Sequence, residues 1–265
     1  MRLTVERKRV LELLVEYVHL STAQVYQLLG AETTSAQRAV RRLLRDFAAL
    51  HLIRRERLIL RDDVDDQLPH WEYIYWLTPR GLRCAEANGL DPEGRGKAGE
   101  ERSRLTLNHD HEITTFHLTL RAALGESPWW RQRELKQAFG AGGGRNAVNP
   151  DAVFFVGSFY YFLEIEKTKL GAYREGESSL LRKCRNYVAY ADPGRRPYRT
   201  KWPDMEGFYV CFTVAGEARL ANVIADLRDR SPYSLFLMTT EEAYRTDILG
   251  RIWRTPTGAE RSLLD

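Results

Sequence analysis

The chain has 265 residues, of which 43% are hydrophobic, with 40 Lys+Arg against 36 Asp+Glu for a formal charge of +4. This is an ordinary globular composition with room for one large or two modest domains. The charge excess is too small to argue for a nucleic-acid partner by itself, so any such signal must come from how the charge is distributed. Cys84, Cys184 and Cys211 are scattered and not in metal-ligand spacing, and they read as free thiols of a reducing compartment. MRLTVERKRV is too charged for a secretory signal. The longest apolar stretch, AVFFVGSFYYFLEI, is broken by Gly157 and Ser158 and is shorter than the ~20 residues of a membrane helix. The expectation is a soluble, cytoplasmic protein without a membrane partner.

Residues 5–17 place Val10, Leu13, Leu14 and Tyr17 at helical spacing. Ser21 or Thr22 caps a short second helix that stops at Gly30, and Thr34 or Ser35 caps a third, AQRAVRRLLRDFAALHLI. The inner face of the third helix is Val40, Leu43, Leu44 and Phe47. LIRRERLIL and WEYIYWLT read as strands around the acidic turn RDDVDDQLPH, and Thr78-Pro79 opens a fourth helix. Three helices followed by a hairpin is the pattern of a winged helix-turn-helix. Residues 88–104, NGLDPEGRGKAGEERSR, are nearly without apolar residues. The chain thus divides into a DNA-binding domain at 1–90, a linker at 91–104 and a second domain at 105–265.

The second domain alternates. A helix over about 107–124, capped by Asn108 or Asp110, precedes a strand around RQREL and the Gly-rich loop GAGGGRN. Strands DAVFFV and YYFLEIE follow, then helix SLLRKCRNYVAYA, strand FYVCFTV, helix EARLANVIADLRD, strand SLFLMTT and helix EEAYRTDIL. A meander that ends in a crossover unit predicts a mixed sheet flanked by helices, within an overall α/β (α+β) class.

The third helix carries Gln37, Arg38, Arg41, Arg42 and Arg45 opposite its apolar stripe, and the next strand adds Arg54, Arg55 and Arg57. On the second helix of a helix-turn-helix such a stripe enters the major groove, where arginine meets phosphates and guanine edges. These residues are the candidate contacts to double-stranded DNA.

Asp151 opens one apolar run, and Glu164 and Glu166 close the next. Strand alternation puts both glutamates on one face and Leu163, Ile165 and Lys167 on the other. A hairpin turning at Gly157-Ser158 brings Asp151 to the same end. Clustered acids in apolar surroundings are costly unless positive charge neutralises them, and hard oxygen donors suit Mg2+ or Mn2+. Asp151, Glu164 and Glu166 are therefore the candidate metal ligands. His109, His111 and His117 sit at the start of a helix and are not read as a zinc site. Trp129, Trp130, Trp202 and Trp253 read as packing residues, with Trp202 in the basic loop RRPYRTKWP.

Pro150-Asp151 followed by Glu164-Ile165-Glu166-Lys167 resembles the PD-(D/E)XK nuclease superfamily. Glu166 stands where that motif usually has lysine, as in restriction endonucleases with an E-x-E version. Lys167 falls one position late, and the resemblance passes the lysine's role to Lys183, with Tyr187 beside it at i, i+4. The chain as a whole, over about residues 8–240, resembles the replication-relaxation family of plasmid proteins. The matching positions are Trp130 and Glu134, Pro150-Asp151, EIEKTK, and Lys183 to Tyr187. That resemblance implies a winged helix joined to a nuclease-like half, with Asp151, Glu164, Glu166, Lys183 and Tyr187 as catalytic residues.

The leading expectation is a DNA-binding protein of a mobile element that nicks or cleaves DNA at or near an origin as a Mg2+- or Mn2+-dependent, relaxase-like endonuclease. The alternative is a non-catalytic DNA-binding regulator or accessory factor on a degenerate nuclease fold. Further replication or mobilisation proteins are candidate partners, and a homodimer is left open.

Overall fold

Helix α1 (Val5–Tyr17) forms on the predicted stripe, with Val10, Leu13, Leu14 and Tyr17 buried and Thr4 as its N-cap. The computed structural model describes residues 3–60, 70–91, 103–131, 135–139, 146–167, 179–230 and 234–265. They fall into two compact units, Met1–Thr115 and Phe116–Asp265. The division lies inside helix α5 (Arg104–Leu124), not before it. Most of the linker expected at 91–104, and most of GAGGGRN, lie outside the described residues.

In the first unit, α1 is followed by β1 (Leu20–Ser21), α2 (Thr22–Leu29), α3 (Thr34–Ala49), β2 (Ile53–Leu60), β3 (His70–Leu77) and α4 (Pro79–Glu86). Ser21 caps α2 in a reciprocal capping box with Gln24, and Gly30 ends it in the left-handed region at φ 62°. The cap of α3 is Thr33, one residue earlier than expected, because its side chain is the one that reaches Ala36 N, at 3.2 Å. The strands pair in the order β1-β3-β2, all antiparallel. Leu58, Ile74 and Trp76 turn to one face and cluster with Leu107 of α5. Gln24 Nε2 donates to His111 O (3.1 Å) and Thr115 Oγ1 (3.0 Å), which ties α2 to the same helix.

Helix α5 starts at Arg104, three residues before the expected position, because Ser103 Oγ already accepts from Thr106 N at 3.2 Å. Asp110, one of the expected caps, sits instead within the helix, with its Oδ2 2.8 Å from His19 Nδ1.

The second unit is built on a seven-stranded mixed sheet. Its strands are β4 (Trp129–Arg131), β7 (Ala152–Val156), β8 (Phe159–Glu166), β9 (Phe208–Val214), β10 (Phe236–Thr240), β11 (Trp253–Arg254) and β12 (Glu260–Arg261). The order is β12-β11-β10-β9-β8-β7-β4. β7 and β8 form the expected hairpin, turning at Gly157, whose φ of 60° suits glycine. Two parallel crossovers follow rather than one: β8 to β9 through α6 (Ser179–Tyr190), and β9 to β10 through α7 (Glu217–Arg230). β5 (Gln137–Phe139) and β6 (Asn146–Val148) pair only with each other, and α8 (Glu241–Asp247) leads into β11. β5, β6, β11 and β12 are not predicted from the sequence because two or three residues carry no usable periodicity.

One face of this sheet packs Val153, Phe162 and Val210 under Leu181, Tyr187 and Tyr190 of α6 and Leu220 and Val223 of α7. On the other face Phe116 meets the rings of Phe154 (5.4 Å), Tyr244 (5.0 Å) and Trp253 (6.3 Å). Among the described residues no helix is long and apolar enough to cross a membrane.

Gly81 of α4 lies hard against the chain before β2. A Cβ built on it would sit 1.9 Å from the Leu52 carbonyl oxygen, which also accepts from Thr78 N at 3.0 Å. Alanine is the better helix former by about 1 kcal/mol, but this clash is with backbone that is itself held in place. Gly81→Ala should therefore cost about 1–3 kcal/mol, read as a lowered urea midpoint; an unchanged or raised midpoint would show that α4 can shift away.

Candidate functional site

The acids stand at the C-terminal end of β8, where the chain leaves the sheet before returning in α6. Asp151, Glu164 and Glu166 are 5%, 2% and 5% exposed. Asp151 immediately precedes β7; its amide donates to Leu163 O (2.9 Å) and its Oδ2 accepts from Ile165 N (2.8 Å). The carboxylate thus continues the β7–β8 ladder past the last paired residues. Glu164 and Glu166 share the face covered by α6, as alternation requires. Lys183 Nζ donates to Glu164 Oε2 at 2.7 Å and lies 3.7 Å from Glu166 Oε2. One turn further along α6, Tyr187 OH donates to Glu164 Oε1 at 2.6 Å.

Glu164 therefore has both oxygens engaged, one by an ammonium and one by a phenol. Burial pushes its pKa up to about 7, the Lys183 charge opposes this, and the Asp151 charge adds to it. Burial alone would lower the pKa of Lys183, but Glu164, Glu166 and Asp151 together raise it above the usual lysine value. Tyr187 is pushed well up by burial and then by the charge of Glu164, so its hydroxyl stays protonated. Cys184, between the two on α6, is likewise driven up, first by burial.

The donor chemistry, carboxylate oxygen, suits a hard divalent ion. Even so, among the described residues no group of three or more His, Cys, Asp or Glu side chains stands ready to hold a metal. The Lys183 ammonium and the Tyr187 hydroxyl already take the oxygens of Glu164. A metal would compete with Lys183 for them.

Lys167 turns away from this cluster, as its place in the strand requires, and pairs with Glu241 at the start of α8 at 2.5 Å. The His117 ring stacks on Trp129 at 4.3 Å, and burial holds its pKa down to about 3. Glu134 lies outside the described residues.

The second set of candidates lies in the first unit. Arg38, Arg41, Arg42 and Arg45 are exposed along α3, and Gln37 is half-buried. Arg41 stacks over Tyr26 at 5.6 Å and donates to its hydroxyl, which fixes its direction. Arg54, Arg55 and Arg57 are exposed on β2. The aromatic residues of β3 beside them were not among the residues expected at this surface. Arg57 lies over Trp71 at 4.3 Å and Arg55 over Tyr73 at 5.1 Å. The alternation of Trp71, Tyr73 and Tyr75 is visible in the sequence, but only strand register shows which residues they meet.

A family model described as replication-relaxation matches residues 11–203, well over half of the chain. The chain belongs to the replication-relaxation family. The matched span runs from within α1 through α6 to the 3-10 turn at Pro197–Thr200, and so includes both the arginine face and the acid cluster. Membership of the replication-relaxation family points to a role in the replication or mobilisation of mobile elements. No curated protein and no solved structure matches the chain.

The Glu164–Lys183 pair sets a test of the cluster. A carboxyl with a folded pKa near 7 against an ordinary 4.5 holds its proton longer when folded, so this group makes stability fall as pH rises between those values. Removing Lys183 takes away the charge that opposes the shift, so Lys183→Met should extend the fall above pH 7. The loss should be about 1–3 kcal/mol at about pH 9, kept modest because the Lys183 side chain is 38% exposed and screened by solvent, and should shrink towards about pH 5. Urea unfolding across that range reads it; a pH-independent loss would place the effect in packing rather than charge.

Proposed function

We propose that the protein binds double-stranded DNA through its first unit and cleaves or nicks a phosphodiester with the acid cluster of its second, at or near an origin of a mobile element. Three buried carboxylates, with a lysine beside two of them and a tyrosine on Glu164, in a replication-relaxation chain, carry this reading. The order α1, β1, α2, α3, β2, β3, with β1 returning to pair with β3, supports a winged helix in which α3 is the recognition helix. The hairpin β7–β8, followed by α6 and a parallel β9, supports a PD-(D/E)XK-like core with its acids at the end of β8.

Asp151, Glu164 and Glu166 would hold Mg2+ or Mn2+ in place of the Lys183 ammonium; when bound, such an ion polarises the phosphodiester and lowers the pKa of a water. Asp151 is held by the Ile165 amide and so is fixed before substrate arrives. Tyr187 holds Glu164 in orientation; being buried and protonated it serves as a donor, and water is the better candidate nucleophile. Lys183, with its side chain 38% exposed, would be freed from Glu164 if another cation took its place. Its charge can then neutralise a phosphate oxygen.

The occupied state of Glu164 also favours a second reading, a DNA-binding factor whose nuclease fold survives as a scaffold locked by Lys183. Supercoiled plasmid incubated with the full chain and Mg2+ or Mn2+ separates the two. On the first reading nicked or linear product appears, and Asp151→Asn lowers its formation by roughly a hundredfold or more while duplex affinity holds. No product with either ion, at protein concentrations that saturate the duplex, would establish the scaffold reading.

Duplex binding has its own test. Alanine at Arg38, Arg41 and Arg45 together should weaken binding and reduce the salt slope by about 2–3, since fewer phosphates are then neutralised and fewer counterions set free. Unchanged affinity and slope would remove α3 from the interface.

A further inference from the structure

The outer face of the β2–β3 hairpin carries cations and rings in alternation. Arg57 is opposite Tyr73 and Arg55 opposite Tyr75 in the ladder, yet each guanidinium leans diagonally, Arg55 over Tyr73 and Arg57 over Trp71. The result is a run of Arg55, Tyr73, Arg57 and Trp71 across the two strands. If the arginines served only to cover the rings, the rings would be shielded, but Trp71 and Tyr73 are each 42% exposed.

We propose that this face is a stacking platform for unpaired bases of single-stranded DNA, a site separate from the duplex-binding surface of α3. Guanidinium planes and aromatic rings both accept a base face to face, and arginine also meets the phosphates. Spacing favours an unpaired strand. Side chains on one face of a strand recur at about 6.8 Å, whereas bases in a duplex strand are stacked at about 3.4 Å, so only an extended strand can insert a base at each rung. The positive charge that draws a polyanion to this face is that of Arg55 and Arg57, both exposed. Exposed rings also distinguish the ligand from an acidic protein surface, since carboxylates gain nothing from stacking. The site does not require the acid cluster to be active.

Labelled oligo(dT) of about 20 nucleotides, long enough for one binding surface, tests the proposal by fluorescence anisotropy with the full chain. Trp71→Ala/Tyr73→Ala should weaken binding roughly tenfold or more, whereas Trp71→Phe/Tyr73→Phe should stay within about threefold because it keeps the rings. In the double alanine variant oligo(dT) affinity should fall more than duplex affinity, and the Arg38/Arg41/Arg45 alanine variant should show the reverse pattern, so failure of one surface is told from failure of the other. Equal binding of oligo(U) would support the same stacking with either sugar. Binding of oligo(U) more than roughly tenfold tighter than oligo(dT) would overturn the assignment in favour of RNA. Wild-type affinity in the double alanine variant, equal binding of an abasic oligomer, or equal displacement by poly-glutamate would overturn the platform.

Discussion

A carboxylate as buried as Glu164 must either keep its proton or meet a cation, and here it does some of both. Its apolar surroundings make the proton hard to remove, and the Lys183 ammonium at 2.7 Å makes the charged form tolerable. The rest of the second unit is arranged around that balance. β8 must run its full length to carry Glu164 and Glu166 to its end, and α6 must return across the sheet so that Lys183 and Tyr187 arrive one turn apart. The Asp151 carboxylate must close the ladder at Ile165 N. Each of these is a packing decision, and together they hold three acids in a buried space.

The same pairing explains how a cluster of acids can exist without a ready metal cage. Lysine and a divalent ion answer the same electrostatic demand, but differently: the ammonium brings one charge on a flexible stem, the ion two charges and a fixed coordination shell. A site that an ammonium can satisfy folds without waiting for metal. A divalent ion held by Glu164 Oε2 would have to compete with that ammonium.

The first unit solves a different problem with the same residue types. Arg41, Arg55 and Arg57 lie outside, where charge is solvated and inexpensive, and they rest on aromatic neighbours. Arg41 is aimed by Tyr26 on the helices, and Arg55 and Arg57 by Tyr73 and Trp71 on the hairpin. Guanidinium groups that rest on rings lose less freedom when a ligand arrives, which is the physical advantage of such stacking at a binding surface.

By itself the sequence determined the elements with long, regular patterns. α1 and α3 follow from helical stripes, the β7–β8 hairpin from two apolar runs around a glycine, and the shared face of Glu164 and Glu166 from a period of two. Lys183 and Tyr187 were legible as neighbours because four residues make about one helical turn. What the sequence could not contain is distance across the chain. That α6 sets Lys183 on both glutamates, and that both Glu164 oxygens are consumed in doing so, depends on where the helix docks on the sheet. That α5 is divided between two units depends on which core each of its turns enters. Arg57 finds Trp71 only through the register of β2 on β3. Local periodicity is set by backbone geometry within a few residues, whereas docking and register are set by the burial of whole faces against partners far along the chain. The chemistry of both candidate sites was decided there.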